Sequence, residues 1–311
     1  MKRGLDFPLA RPTWPANVER PAPKRRVGLA FDHGWSRRYP ARLARALLLD
    51  NVTRPAIRLV TATTTRGVEY LEHLEAPVIF AANHASHLDT PLLLHALPAR
   101  FRHKSVVGAA SDYFFDRTWK ALWWSLTLAA IPIDRNRVNR RSGDDAARII
   151  EEGWNLIIFP EGGRTADGWA QPFRGGAAYL AHRTKRPVVP VYIHGMFRVL
   201  PKSLRDDRPA GGSGSEMRHR GLRRSPTSVL FGPPLRLEEG EDARHFAARI
   251  ERAVAQLAEE VRSDWWGARR AGADAAMTAL RGPDVSPWRR AWARDATPRR
   301  SPSRGGNWPV S

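Results

Sequence analysis

The 311-residue sequence contains no cysteine. That excludes disulfide staples and a thiolate nucleophile, and makes a reducing, cytosolic setting the expectation. It also lacks any apolar run near the roughly 20 residues that a spanning helix needs. The best candidate, Ala121 to Ile133, is interrupted by Ser125, Thr127 and Pro132. The basic N-terminus has no apolar core of a secretory signal, because Arg3, Asp6, Arg11 and several prolines break it up, so the chain is expected to stay inside the cell. A G-x-S-x-G elbow is missing too. The nearest run, Gly211 to Ser215, ends in Ser where Gly is required, which disfavours a covalent serine hydrolase. Acidic residues are scarce, 31 against 51 Lys and Arg, for a formal net charge of +20. This balance implies an anionic partner; nucleic acid, anionic lipid and phosphorylated co-substrates all qualify by charge.

What is present is a block of periodic apolar segments between two polar ends. Residues 1–35 form a basic, Pro-rich tail, residues 36–264 an α/β domain with a flexible Gly/Ser-rich loop at about 203–226, and residues 265–311 a basic tail rich in Trp and Arg. From Tyr39 to Val60 the apolar residues Leu43, Leu47, Leu48, Val52, Ile57 and Val60 have helical spacing. Pro55 is expected to break or kink this segment into one or two N-terminal helices. Strand-like runs follow at Pro77–Ala82, Lys104–Ala109, Ala130–Ile133, Asn155–Phe159, Pro187–Ile193 and Ser228–Phe231. Between and after them lie helical patterns at Thr90–Leu97, Tyr113–Leu126, Gly143–Glu152, Gly175–Thr184 and Ala243–Val261. The alternation predicts an α/β fold: a mostly parallel or mixed central sheet flanked by helices, with disordered basic tails. Ligands on such sheets gather at the carboxyl ends of strands.

The turn after the first of these runs reads NHASHLD, Asn83 to Asp89, and places a histidine and a carboxylate five positions apart. That spacing suits neither a strand face nor a helix face, so a tight turn must bring them together. Thr90-Pro91 supplies a helix start beside Asp89, where an anion is stabilised. A carboxylate bound to one imidazole nitrogen fixes the tautomer and leaves the other nitrogen to take a proton from an alcohol. With 10 histidines in the chain, a chance His-x4-Asp is expected about 0.6 times, so the pair alone decides nothing. His84 and His87 as metal ligands form a rival, but a catalytic zinc site usually takes three protein ligands and no suitable third stands nearby. No metal is expected.

The order of further blocks decides more. Asp134-Arg135 follows IPI, FPEGGRT runs from Phe159 to Thr165, PFRGG from Pro172 to Gly176, VVPVYI from Val188 to Ile193 and VLFGPPL from Val229 to Leu235. In this order the chain resembles the glycerol-phosphate and lysophosphatidic acid acyltransferase family, with its NHxSxxD, (I/V)DR, FPEGTR and VP-containing blocks. The resemblance implies His84 as general base and Asp89 as its orienting acid. It also implies Arg135, Glu161, Gly162 and Arg164 as contacts for the acceptor's phosphate and glycerol portion. Gly163 departs from the pattern, standing where the family most often has Thr, which bears on acceptor identity.

The reaction so implied moves a fatty-acyl group from acyl-CoA or acyl-carrier protein, as co-substrate and without a cofactor, to the free hydroxyl of lysophosphatidic acid or a related lysolipid. Glycerol 3-phosphate or a different lysolipid is an alternative acceptor. Such substrates place the enzyme on the anionic inner face of the cell membrane. Trp119, Trp123 and Trp124, with Phe114, Phe115, Leu122 and Leu126, offer one apolar face for docking. Arg25, Arg26, Arg37 and Arg38 offer charge at one end, and Trp265, Trp266, Trp288 and Trp292 among Arg269, Arg270, Arg289 and Arg290 at the other. A non-catalytic nucleic-acid-binding module is the alternative from another class. It accounts for the charge but not for the ordered blocks, so no nucleic-acid partner is expected.

Overall fold

The computed structural model describes residues 31–133, 140–165, 167–200, 224–274, 277–286, 289, 290 and 293. Most of the two expected tails, Arg135 and all but the end of the expected loop at 203–226 lie outside these residues.

In chain order the elements are α1 (Tyr39–Leu48), a π turn (Leu49–Thr53), α2 (Arg54–Val60), β1 (Thr61–Arg66), α3 (Glu69–Glu72), β2 (Ile79–Ala82), α4 (Asp89–Ala96), α5 (Ala99–Arg102) and β3 (Ser105–Ala110). They continue with α6 (Ser111–Phe114), α7 (Thr118–Leu128), β4 (Ala130–Ile133), α8 (Arg140–Glu151), β5 (Asn155–Ile158), α9 (Gly176–Thr184), β6 (Val188–His194), α10 (Met196–Val199), β7 (Ser225–Phe231), α11 (Ala243–Arg262) and α12 (Trp265–Ala273). Pro55 does not separate α1 from α2. The π turn absorbs it, and the backbone stays right-handed helical through Leu49 and Arg54.

The strands form one sheet in the order β1-β7-β6-β2-β5-β3-β4. Strands β6, β2, β5, β3 and β4 run parallel, while β7 and β1 run the other way, joined through the antiparallel β6–β7 pair. The mixed sheet expected from the sequence is therefore present. Its central strands read as continuous apolar runs because helices cover both faces. Alternation sorts β2: Phe80 and Ala82 join Leu92, Leu93 and Phe101 on one side, while Ile79 and Ala81 join Ile149, Ile150 and Phe246 of α8 and α11 on the other.

Strand β1 has no counterpart among the sequence expectations. Its inward residue, Thr61, and its half-buried one, Thr63, are hydroxylated, so apolar alternation gives no sign of it; threonine's β-branch and the Thr63–Thr227 hydroxyl bond (2.9 Å) do the work instead. Pro190 is an oddity in β6, a strand paired on both sides. Val191 faces Phe231 and Val188 faces Leu235, so three steps along β6 match four along the neighbouring segment. This bulge places Gly232 N–H on the Pro190 carbonyl (2.9 Å) and removes any need for the missing proline donor.

Asn155 is the sheet's buried polar rivet. Its Oδ1 accepts from Val78 N (3.0 Å), and its Nδ2 donates to the Phe101 and Lys104 carbonyls at 3.3 and 3.0 Å. Asn155→Leu strands the buried Val78 N–H, while the Phe101 and Lys104 carbonyls keep their bonds from Ser105 Oγ and Asn155 N, so unfolding in urea is expected to show a loss of about 1–3 kcal/mol, the cost of one stranded buried group.

Candidate active site

Two loops meet at the carboxyl ends of the neighbouring strands β2 and β5. The first begins with Asn83, which is buried. Its side-chain amide pairs with Ile193 of β6, Nδ2 donating to the carbonyl (3.0 Å) and Oδ1 accepting from the N–H (2.7 Å). With that anchor set, the chain turns through His84 to Ser86 and enters α4 at Asp89. The Asp89 side chain is 1 % exposed. Its Oδ2 takes three bonds: from His84 Nδ1 (2.9 Å), Ala85 N (2.7 Å) and Ser86 N (2.8 Å). The carboxylate thus folds the turn around itself at the helix start, where the peptide dipoles favour negative charge. With Nδ1–H committed to Asp89, the neutral imidazole carries its lone pair on Nε2. Phe159 stacks on the imidazole at 4.1 Å and 22°, and the His84 side chain keeps 15 % of its surface open.

The second loop follows β5. Glu161 is 1 % exposed and spends both carboxyl oxygens on main chain: Oε1 accepts from His84 N (2.7 Å), Oε2 from Gln171 N (2.9 Å). Thr165 N donates to the His84 carbonyl (3.1 Å). His84 is therefore held on both sides of its backbone by the one loop. Burial pushes the Glu161 carboxyl up to about 8, against the pull of its two amide donors. Gly162 adopts φ +72°, a left-handed conformation that favours glycine, and a Cβ there would push against the mobile end of Arg174 at 2.9 Å. The charge of Arg164 is felt at His87, whose pKa is lowered to about 4 by burial first and by Arg164 and His84 after it. His87 is consequently a neutral imidazole near pH 7, stacked on Tyr113 with Nε2 3.3 Å from the phenol oxygen.

Of the six site residues expected from the sequence, His84 and Asp89 are brought into direct contact, and Gly162 and Arg164 stand in the loop beside them. Arg135 lies outside the described residues. Glu161, expected to touch the acceptor, is buried with both carboxyl oxygens on backbone amides, a clamp between the loops.

The expected C-terminal tail is corrected. Trp265 to Ala273 form helix α12, packed on α11. Beyond it, the chain crosses the second loop. Glu259 of α11 accepts from Thr278 N (2.6 Å) and Ala279 N (2.7 Å), Ala170 N donates to Leu280 O (3.0 Å) and Trp169 Nε1 to Arg290 O (3.0 Å). Arg290 Nε in turn bonds Asp167 Oδ2 at 3.2 Å. Arg290, which the sequence reading assigned to membrane attraction, faces inward, as does Arg37, whose side chain is 11 % exposed and pairs with Glu152. Nothing in the sequence pattern marks this strap, because its contacts join backbone groups to single Glu, Asp, Trp and Arg side chains among many.

Comparison with known proteins comes from three directions. Residues 62–194 match the sequence profile described as Acyltransferase. The chain is 33% identical over 177 residues to a 1-acyl-sn-glycerol-3-phosphate acyltransferase of Limnanthes alba, covering 54% of this chain and 53% of that one. It is 28% identical over 143 residues to a chloroplastic 1-acyl-sn-glycerol-3-phosphate acyltransferase, BAT2, of Brassica napus, covering 45% and 39%. The chain thus spans about half or less of the length of these curated relatives. The crystal structure of PlsC, the 1-acyl-sn-glycerophosphate acyltransferase of Thermotoga maritima, superposes with a TM-score of 0.52 over 74% of this chain and 86% of that one. At 20% identity that likeness establishes the fold.

Two outcomes test the site's construction. Because folded Glu161 holds its proton more tightly than the unfolded chain does, its contribution to stability is full at low pH. It is lost as pH rises from the ordinary carboxylate range through about 8. Glu161→Gln should remove that component from a plot of melting temperature against pH. Arg290→Ala should free the strap, and amide hydrogen exchange at Thr165 and Ala170 should quicken about tenfold, the effect of losing ~1–2 kcal/mol of local hydrogen bonding.

Proposed function

We propose that this chain, which carries an acyltransferase-family domain over residues 62–194, transfers a fatty-acyl group from a thioester to the free hydroxyl of lysophosphatidic acid. The observation that carries the proposal is the His84–Asp89 contact, placed at the carboxyl ends of β2 and β5 within that domain and beside the cation Arg164. The names of the relatives from Limnanthes and Brassica support the acceptor. Acyl-CoA and acyl-carrier protein both present the required thioester.

In the proposed step His84 Nε2 takes the hydroxyl proton as the oxygen forms its bond to the thioester carbonyl carbon. The C–S bond then breaks, and the departing thiolate collects a proton from the imidazolium. Asp89 holds the ring and stabilises its charged form, which is what a proton-accepting histidine needs. Arg164 supplies a planar donor fork for the acceptor's phosphate.

The surface near the site supports work at a bilayer. Helix α7 is inside out: Ala121, Ser125 and Thr127 are buried, while Trp119, Leu122 and Trp123 are exposed. Helix α1 is built likewise, with Arg45 buried and Leu43 and Leu47 outside. Arg45 ties the two together through the Ser125 and Leu126 carbonyls at 3.3 and 3.2 Å. Exposing the apolar side and burying a guanidinium is reasonable when the outer medium is lipid. Among the described residues no helix is long and apolar enough to cross a membrane; the exposed apolar sides of α1 and α7 support our reading that the protein works peripherally, on the inner face of the cell membrane.

Purified protein given an acyl thioester and lysophosphatidic acid should yield phosphatidic acid and free thiol. His84→Ala should lower kcat by about 10²–10⁴ without loss of fold, the range for a removed general base; an unchanged rate, or no product with any lysolipid or with glycerol 3-phosphate, sinks the assignment. Trp119→Ser with Trp123→Ser should weaken sedimentation with vesicles about tenfold or more, since each large apolar side chain buried in the interface contributes on the order of 1 kcal/mol. Activity on dispersed short-chain substrate should stay intact.

A further inference from the structure

A charged cavity lies at the opposite end of α4 from Asp89. It has a volume of about 450 Å³ and is lined by Arg58 of α2, Thr61 to Thr64 of β1, His95 of α4 and Arg224 just before β7. His95 stands six residues beyond Asp89, roughly 9 Å along the helix axis, and no residue of the His84 site lines this space.

Its charge is unbalanced. Arg54, Arg58 and Arg102 all act on His95, and Arg54 Nε sits 3.4 Å from its Nδ1. The carboxylate at hand, Asp50, is already shared by Arg54 (3.3 Å), Arg102 (3.1 Å) and His103 (3.1 Å). Arg58 and Arg224 have no carboxylate in ion-pairing reach among the described residues. Burial and then these arginines hold the His95 pKa below its ordinary value. The Thr61 proton is spent on the Ile57 carbonyl and the Thr63 proton on Thr61, so two exposed guanidinium forks, the imidazole and the Thr64 hydroxyl are the donors that converge on this space, a set that matches phosphate oxygens. Leu59 and Val60, 70 % and 46 % exposed, lie in the chain between the lining residues Arg58 and Thr61.

We propose that this cavity binds a phosphate group, separately from the His84 site, and that its natural source is the headgroup of an anionic phospholipid. The apolar neighbours Leu59 and Val60 favour a lipid over a dissolved anion, because they would enter the same interface that presents the headgroup.

The test follows His95 by NMR in the full chain with labelled histidine, its signal assigned with His95→Asn. Inorganic phosphate, compared with chloride at equal ionic strength, should raise the pH at which His95 titrates, because a bound anion favours imidazolium. Arg58→Lys with Arg224→Lys keeps the charge but loses both forks, and should weaken this response about tenfold or more. Both arginines are exposed, so the variant is expected to fold. An unmoved midpoint, or an undiminished response in the double variant, overturns the site. Sedimentation with phosphatidylglycerol and phosphatidylcholine vesicles then settles the source. A several-fold loss confined to phosphatidylglycerol in the Lys variant supports the headgroup; unchanged vesicle binding overturns it and leaves a dissolved phosphate as ligand. None of these readouts depends on turnover, so they stand or fall apart from the acyltransferase assignment.

Discussion

A single buried oxygen, Asp89 Oδ2, organises the site. Three donors converge on it, one imidazole and two amides, and between them they set the turn, the ring orientation and the tautomer. A five-residue spacing between base and acid looks awkward on any regular element. It becomes necessary once the carboxylate starts a helix and the histidine lies just past a strand, since the intervening amides must curl back to reach the same carboxylate. Local chain geometry and chemistry are one constraint here.

That turn does not stand alone. Asn83 fastens its beginning to β6, and Glu161 and Thr165 grip the His84 backbone from the β5 side. The C-terminal strap then braces the same second loop through Trp169 and Ala170. Three segments far apart in sequence so fix one imidazole. Each bond adds only about 0.5–1.5 kcal/mol to stability, but together they restrict where the ring can go, which is what the proposed base requires.

Legibility of these features in the sequence followed the type of interaction. The sheet's central strands and the helices over it were readable because burial on both faces leaves apolar runs and helical periodicity. The His84–Asp89 pair was readable as a motif, its geometry only as a requirement for a tight turn. The inward setting of Glu161 was not readable: burial cannot be seen in a Pro-Glu-Gly run, and an inward and an outward glutamate look alike there. Strand β1 was invisible because its inward positions are threonines, and the strap because it joins backbone groups to a few side chains, Glu259, Trp169, Asp167 and Arg290, that no motif singles out. The π turn at Leu49–Thr53 belongs with these, since Pro55 signals trouble for a helix without saying how the chain resolves it.

The sheet's two margins carry a further consequence. An unpaired strand edge is a template for adding a foreign strand, and an enzyme concentrated on a surface meets copies of itself often. On one margin β1 exposes Thr64, Thr65 and Arg66, which give a newcomer neither an apolar face nor a neutral one. On the other, β4 carries Pro132, which has no amide hydrogen to offer. Both borders thereby discourage fibre-like stacking, so crowding at high local density can proceed without the sheets knitting together.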